Sequence, residues 1–247
     1  MNQQDRTQAG GFPETQWTLV QRAQSGDPTG EARRALEDIC KRYWLPIYAF
    51  VRRSGERPAE AEELTQEFIV RLIEGEFLSR ADRQRGKLRT FLLACLKHFL
   101  ADNRRAGQRL KRGGGHEHIS IDHALAENAY GVEPVDEMTP DVLFERRWAM
   151  SLMEQVIEKM AAQMEQAGNK RLFYAAVPFA RKGQPPVSRE EAAAELGLSP
   201  EAVKMAISRL RQRFSEQLRL AVAETLGPDD DLEEEMQHLR SVLAEAM

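Results

Sequence analysis

The chain has 247 residues, 42% of them hydrophobic, and a formal net charge of −4, enough for one large or two small packed domains. Its apolar run at 91–96 falls far short of the roughly 20 residues a membrane span needs, and the polar opening MNQQDRTQAGG lacks the apolar core of a secretory signal. Two cysteines, Cys40 and Cys95, lie in apolar-periodic segments and read as buried, reduced thiols rather than a disulfide or metal pair, which places the chain in the cytoplasm.

Nearly every periodic segment reads as helix. Residues 35–53 are helical in composition but contain Pro46, which is expected to kink a helix or start one because it lacks a donor and crowds the preceding turn. Leu64, Phe68, Ile69, Leu72 and Ile73 recur at helical spacing, as do Leu88, Phe91, Leu92, Cys95, Leu96, Phe99 and Leu100, so both stripes should face a core. Three glycines at 113–115, then Gly131, Pro134 and Pro140, mark a linker with at most one short extended piece at 119–121. Helical periodicity resumes at Asp141 and runs to about Gln166, where Gly168 and Asn169 supply a stop. Another helix follows from Lys170 to the loop RKGQPP at 181–186.

The expected fold is therefore all-α, two small helical domains on a flexible linker. The boundaries fall at 1–14 for a disordered N-terminus, 15–112 for the first domain, 113–140 for the linker and 141–226 for the second domain. A short acidic helix occupies 227–247.

The second domain carries a helix-turn-helix pattern. In Ser188-Arg189-Glu190-Glu191 the serine can accept the Glu191 N–H while the glutamate returns to the serine N–H, a capping box. The helix it opens ends at Gly197, which can take the left-handed conformation of a tight exit. Ser199 then caps a second helix with Pro200 at its first position, where a missing N–H costs nothing. Ala192, Ala193, Leu196, Leu198, Val203 and Ala206 fall where the two helices must cross. Val203, Ile207, Leu210 and Phe214 point inward on the second helix. Ser199, Glu201, Lys204, Met205, Ser208 and Gln212 are then left at its start and on its outer face, with Arg209, Arg211 and Arg213 at the flanks. Such a helix can enter a major groove, its first residues meeting base edges and its arginines meeting phosphates.

Charge is distributed in blocks. Residues 97–112 hold six cations against Asp102, residues 204–219 hold five against Glu216, and residues 227–247 hold seven carboxylates against Arg240. Two separate basic patches suggest a polyanion touched twice.

The first domain decides which kind of DNA-binding protein this is. Glu63-Leu64-Thr65-Gln66-Glu67 is followed by Leu88-Arg89-Thr90-Phe91-Leu92, then Lys97-His98, Asp102 and Arg104-Arg105. These residues, in this order and ahead of a helix-turn-helix, resemble the extracytoplasmic-function (ECF) sigma factors of bacterial RNA polymerase. The likeness covers about residues 15 to 226, and the LFERRW segment at 143–148 with the acidic tail resembles a subgroup with a C-terminal extension. The resemblance implies an alternative sigma factor that binds core RNA polymerase and directs promoter-specific initiation, without chemistry or cofactor of its own. It makes 15–112 a region 2-like domain and 141–226 a region 4-like domain.

By the same resemblance, Glu63, Gln66 and Glu67 contact the polymerase; the surrounding seven glutamates against two arginines at 56–76 suit a protein partner. Lys97, His98, Asp102, Arg104, Arg105, Arg109, Lys111 and Arg112 would capture and open the −10 element. Ser199, Glu201, Lys204, Met205, Ser208, Arg209, Arg211 and Arg213 would read the −35 element. His98 stands where the family usually has asparagine, and Phe91 where it commonly has tryptophan. Regulation would come from an anti-sigma factor, or from the acidic C-terminal helix lying against the basic recognition helix; a simpler role for that helix is packing on the second domain.

Two other readings compete. A stand-alone helix-turn-helix regulator would bind operators without polymerase. A metal-dependent nucleic-acid enzyme would use His116, His118 and His123, but these sit in a glycine-rich linker with no cysteine nearby. No phosphate-binding glycine loop, GxSxG or HExxH occurs.

Overall fold

The computed structural model describes residues 16–24, 30–107, 138–180 and 187–244. The described residues form helices and short 3-10 turns: α1 (Gln16–Gln24), α2 (Glu31–Arg53), α3 (Pro58–Ile73), α4 (Leu88–Gly107), α5 (Pro140–Gln166), α6 (Lys170–Ala180), α7 (Arg189–Leu196), α8 (Pro200–Ala223) and α9 (Leu232–Ala244). The chain forms two compact units. One comprises residues 1–148 with 223–247, and the other residues 149–222. The sequence-predicted linker piece at 119–121 lies outside the described residues.

The first unit is built on aromatic packing. Pro46 sits inside a continuous α2 and does not mark a helix start. Tyr43, Ile47 and Tyr48 around it are fully buried, and Trp44 stacks on Tyr48 across the proline at 5.1 Å between ring centroids. Burial of this magnitude, about 1.5–3 kcal/mol for each large side chain, offsets the helical hydrogen bond that proline removes. Phe68 of α3 meets Phe99 of α4 edge-on at 5.5 Å. The α4 stripe buries Leu88, Leu92, Leu96, Phe99 and Leu100, whereas Phe91 and Cys95 are half-buried. Ile73, read from the sequence as core, is exposed at the last position of α3. Cys40 and Cys95 are free thiols, half-buried rather than buried; burial, helped by Glu37, pushes the Cys40 thiol up to about 12.

The first turns of α5 belong to this unit. Phe144 is buried and meets Phe50 edge-on at 6.4 Å, and Arg53 Nε donates to the Met138 carbonyl at 2.5 Å. The C-terminal helix belongs to it as well. Met236, Leu239 and Val242 of α9 are buried, and the cations α9 meets are Lys87 and Arg89. The sequence leads us to expect α9 on the second domain; it groups with the first unit instead. Glu235 lies on the same helical face as the apolar residues, so the helix seats where a buried cation can receive it.

In the second unit the helix-turn-helix is closed by local chemistry. Ser188 Oγ accepts from Glu191 N at 3.1 Å and the Glu191 carboxylate accepts from Ser188 N at 2.8 Å. Gly197 has φ of 66°; its N–H donates to Ala194 O at 3.2 Å while Leu198 N–H donates to Ala193 O at 2.9 Å, the paired bonds of a Schellman exit. Ser199 Oγ then accepts from Ala202 N at 3.2 Å. Ala192, Ala193, Val203, Ile207 and Leu210 are buried, but Leu198, expected at the crossing, is exposed because the left-handed glycine turns it outward. Ser188→Ala should destabilise α7 by about 1 kcal/mol. Gly197→Val should cost about 1–2 kcal/mol from left-handed strain alone, since no atom lies within 4 Å of the added Cβ position. Both should appear as faster amide hydrogen exchange across α7.

Candidate nucleic-acid interface

The outward face of α8 is formed by the spacing of its apolar residues. With Val203, Ile207 and Leu210 turned inward, residues 201, 204, 205 and 208 recur on the opposite side at helical period. Ser199, Glu201, Lys204, Met205, Ser208, Arg209, Arg211 and Arg213 are all exposed. Arg213 is nevertheless fixed: its guanidinium donates to Gln163 Oε1 of α5 at 3.1 Å. Gln212 donates to Glu216 at 3.0 Å. An exposed helix of this kind, entered through a short turn, matches the width of a B-form major groove, about 12 Å.

A second cationic face lies on α4 in the first unit. Lys97, His98, Asp102, Arg104 and Arg105 are exposed; Arg109, Lys111 and Arg112 lie outside the described residues, as do His116, His118 and His123. The cations of this face have carboxylate partners. Lys97 pairs with Asp141 at the start of α5, Arg104 reaches Glu56 at 3.2 Å and the Ser54 carbonyl at 2.9 Å, and Arg105 reaches Asp102 at 3.5 Å. The Lys97 and Arg105 pairs are solvent-accessible on both partners, each worth about 0–1 kcal/mol, so a phosphate can replace them at little cost.

On α3, Thr65 is buried and donates to Ala61 O at 2.7 Å, which turns Glu63 outward. Gln66 is half-buried and donates to Glu62 at 3.2 Å. Glu67, also half-buried, pairs with Arg71 at 2.7 Å, whose guanidinium sits 5.1 Å from the Phe99 ring centre.

The first unit also contains a buried charge cluster that residue patterns alone did not single out. Arg89 is 4% exposed at its side chain and Glu235 is 0% exposed, with 2.5 Å between them. Arg89 also binds Glu145 at 2.7 Å and lies over the Trp148 ring at 4.3 Å, while Lys87 reaches Glu235 at 2.5 Å and His238 reaches Glu145 at 3.3 Å. Burial opposes the charge on both partners. The Glu145 and Glu235 carboxylates nonetheless hold the Arg89 pKa above its ordinary value, and Arg89 with Lys87 holds that of Glu235 below its own.

The ECF sigma factor family model matches residues 18–220. The chain belongs to the ECF sigma factor family. Comparison with curated proteins and with solved structures gave no match. The match spans the α3 acidic helix, α4, α7 and α8 as far as residue 220, and ends before α9. As a sigma factor the chain is a DNA-binding transcription-initiation protein whose partners are core RNA polymerase and promoter DNA. Among the described residues no helix is long and apolar enough to cross a membrane.

Proposed function

We propose that this ECF sigma factor reads two promoter elements through two separate helices. The outer face of α8, Glu201, Lys204, Met205 and Ser208, reads the −35 element as duplex, with Ser199, Arg209, Arg211 and Arg213 on the backbone. Lys97, His98, Asp102, Arg104 and Arg105 of α4, continued by Arg109, Lys111 and Arg112, hold the opened −10 strand, where cations follow phosphate and an unstacked base is accepted. Glu63, Gln66 and Glu67 on α3 dock the polymerase. In this reading residues 15–112 and 141–226 are the working domains, 113–140 connects them, and the protein acts in the cytoplasm. An anti-sigma factor, where one exists, would cover these same surfaces. The α9 helix, lying beyond the matched residues, supports reading the chain as one of a subgroup with a C-terminal extension.

The observation that carries this is the exposed polar face of α8 on a capped helix-turn-helix, within a chain whose family match extends over both candidate faces. Transcription with bacterial core polymerase over a promoter library tests it. Initiation at a selected subset of promoters is the expected outcome. Tight operator binding by the free protein, with no polymerase-dependent initiation, would support a stand-alone regulator instead.

A further inference from the structure

The carboxylates that neutralise the α4 face do not all come from neighbouring turns. Asp102 is three residues from Arg105 on the same helix. Glu56 comes from the α2–α3 turn. Asp141 is different: it opens α5, the helix that leads into the second unit, and it is 44 residues from Lys97. Four residues further along α5, Glu145 binds Arg89, which lies eight residues before Lys97 on α4. The two pairs therefore stand one turn apart on α5 and about two turns apart on α4, joined in opposite chain directions. The Arg89–Glu145 end is buried and is held from its other side by Glu235 of α9. The Lys97–Asp141 end is about half exposed on both partners. One end is thus fixed and the other accessible.

We propose that the first turn of α5 is an internal cap on the strand-capturing face of α4, with Asp141 occupying Lys97 in the place of a DNA phosphate. The inference rests on the reading of α4 as the −10 face. A carboxylate presented on a helix anchored at Glu145 has a high local concentration at Lys97, so it competes with phosphate without any added ligand. Lys97 then contributes to DNA binding only to the extent that Asp141 is displaced. The cap lowers the affinity of the free protein for single strands and leaves the folded core untouched.

The test is binding of the full chain to a fluorescent single-stranded oligonucleotide of mixed sequence, measured over a range of salt concentrations. Asp141→Asn should raise affinity about two- to fivefold, the equilibrium weight of an exposed ion pair. It should also steepen the slope of log K against log salt by about 0.7, the value for one further phosphate neutralised on a single strand. Adding Lys97→Gln should remove both gains, while Lys97→Gln in the otherwise unchanged chain should cost less than it does beside Asp141→Asn. Glu56→Gln serves as the comparison that removes a carboxylate without freeing Lys97, and its effect should be unaltered by Lys97→Gln.

A gain from Asp141→Asn that persists with Lys97→Gln, or no gain at all, overturns the cap. Arg105→Gln separates this failure from that of the underlying reading. If Arg105→Gln weakens binding while Asp141→Asn does nothing, the α4 face binds DNA and is uncapped. If neither substitution nor Lys97→Gln changes binding, the assignment of α4 itself fails.

Discussion

Replacing Glu235 with alanine should destabilise the first unit by about 3–5 kcal/mol, because it leaves a buried guanidinium short of a partner. Arg89 is almost wholly enclosed, with Glu235 on one side, Glu145 on another and the Trp148 ring over its face. Removing one carboxylate does not return the arginine to water. Lys87→Ala should cost much less, about 1 kcal/mol, since its side chain is a quarter exposed and its charge can be solvated. Removing both members of the buried pair in favour of apolar residues, as in Arg89→Met with Glu235→Leu, should recover a large part of the loss, since the desolvation of both charges disappears with them. Trp17, Trp44 and Trp148, the three tryptophans of the chain, all lie buried in this unit, so tryptophan fluorescence during urea unfolding reports on it selectively. The pH dependence has a fixed sign. Glu235 has its pKa depressed in the folded state, so its stabilisation is complete above the ordinary glutamate value and is lost as pH falls through the lowered one. The gap between the wild-type chain and Glu235→Gln should therefore be wide at neutral pH and close in acid. A Glu235→Ala chain that unfolds at the same urea concentration as wild type would show that the buried pair contributes nothing net.

That cluster also marks the limit of what residue order reveals. Ser188 with Glu191, Gly197, and Ser199 with Pro200 were legible because each acts within three or four residues, and the structure closes the bonds the sequence pattern implies. The ends of α5 and α6 were legible for the same reason. Arg89 and Glu235 are separated by 146 positions, and no local pattern joins them. A partial signal was present: Glu235 falls at helical spacing with Leu232, Leu239 and Val242, so its carboxylate had to enter the apolar face. Arg89 likewise adjoins Leu88 at the head of the α4 stripe. A charge on an apolar stripe asks for an opposite charge elsewhere, but only the fold says where. The same holds for Lys97 and Arg104, which read as free cations along the chain and meet Asp141 and Glu56 in the fold. Pro46 does not start a helix: α2 continues through it, with Tyr43, Ile47 and Tyr48 buried around it.

The placement of α9 changes what the acidic tail can do. Within the first unit, Glu235 pairs with Arg89 at the base of α4 and, through Arg89 and Glu145, ties in the start of α5. The exposed carboxylates of α9, Glu233 and Glu234 among them, occupy its first turn, where negative charge complements the positive end of the helix dipole. The α9 segment beyond the family match is therefore part of the first unit's structure, and truncating it removes a partner of a buried charge.

On the recognition helix, Lys204→Ala and Arg209→Gln should both reduce promoter-directed transcription, by different routes that salt and sequence separate. Lys204 is exposed on the outward face in register with Glu201 and Ser208, one turn into α8, the part of a recognition helix that meets base edges when it docks in a major groove. Its removal should cost about 1–3 kcal/mol against the preferred −35 sequence and much less against variants at the contacted base pair, so discrimination falls with affinity. Arg209 lies at the flank of that face and is likewise exposed. Its loss should weaken binding to all duplex sequences alike and reduce the magnitude of the salt slope by about 0.9. Because polymerase supplies further contacts, the assay is initiation by the reconstituted holoenzyme on library-selected promoters and on the same promoters altered at −35. Both variants should retain core-polymerase binding if α3, which belongs to the other unit, is the docking helix proposed above. Neither substitution touches Val203, Ile207 or Leu210, which seat the helix, so lost folding is not the expected cause. Equal loss of initiation on matched and altered promoters for Lys204→Ala would remove it from the base-reading face and leave it a phosphate contact, placing specificity on Glu201, Met205 or Ser208.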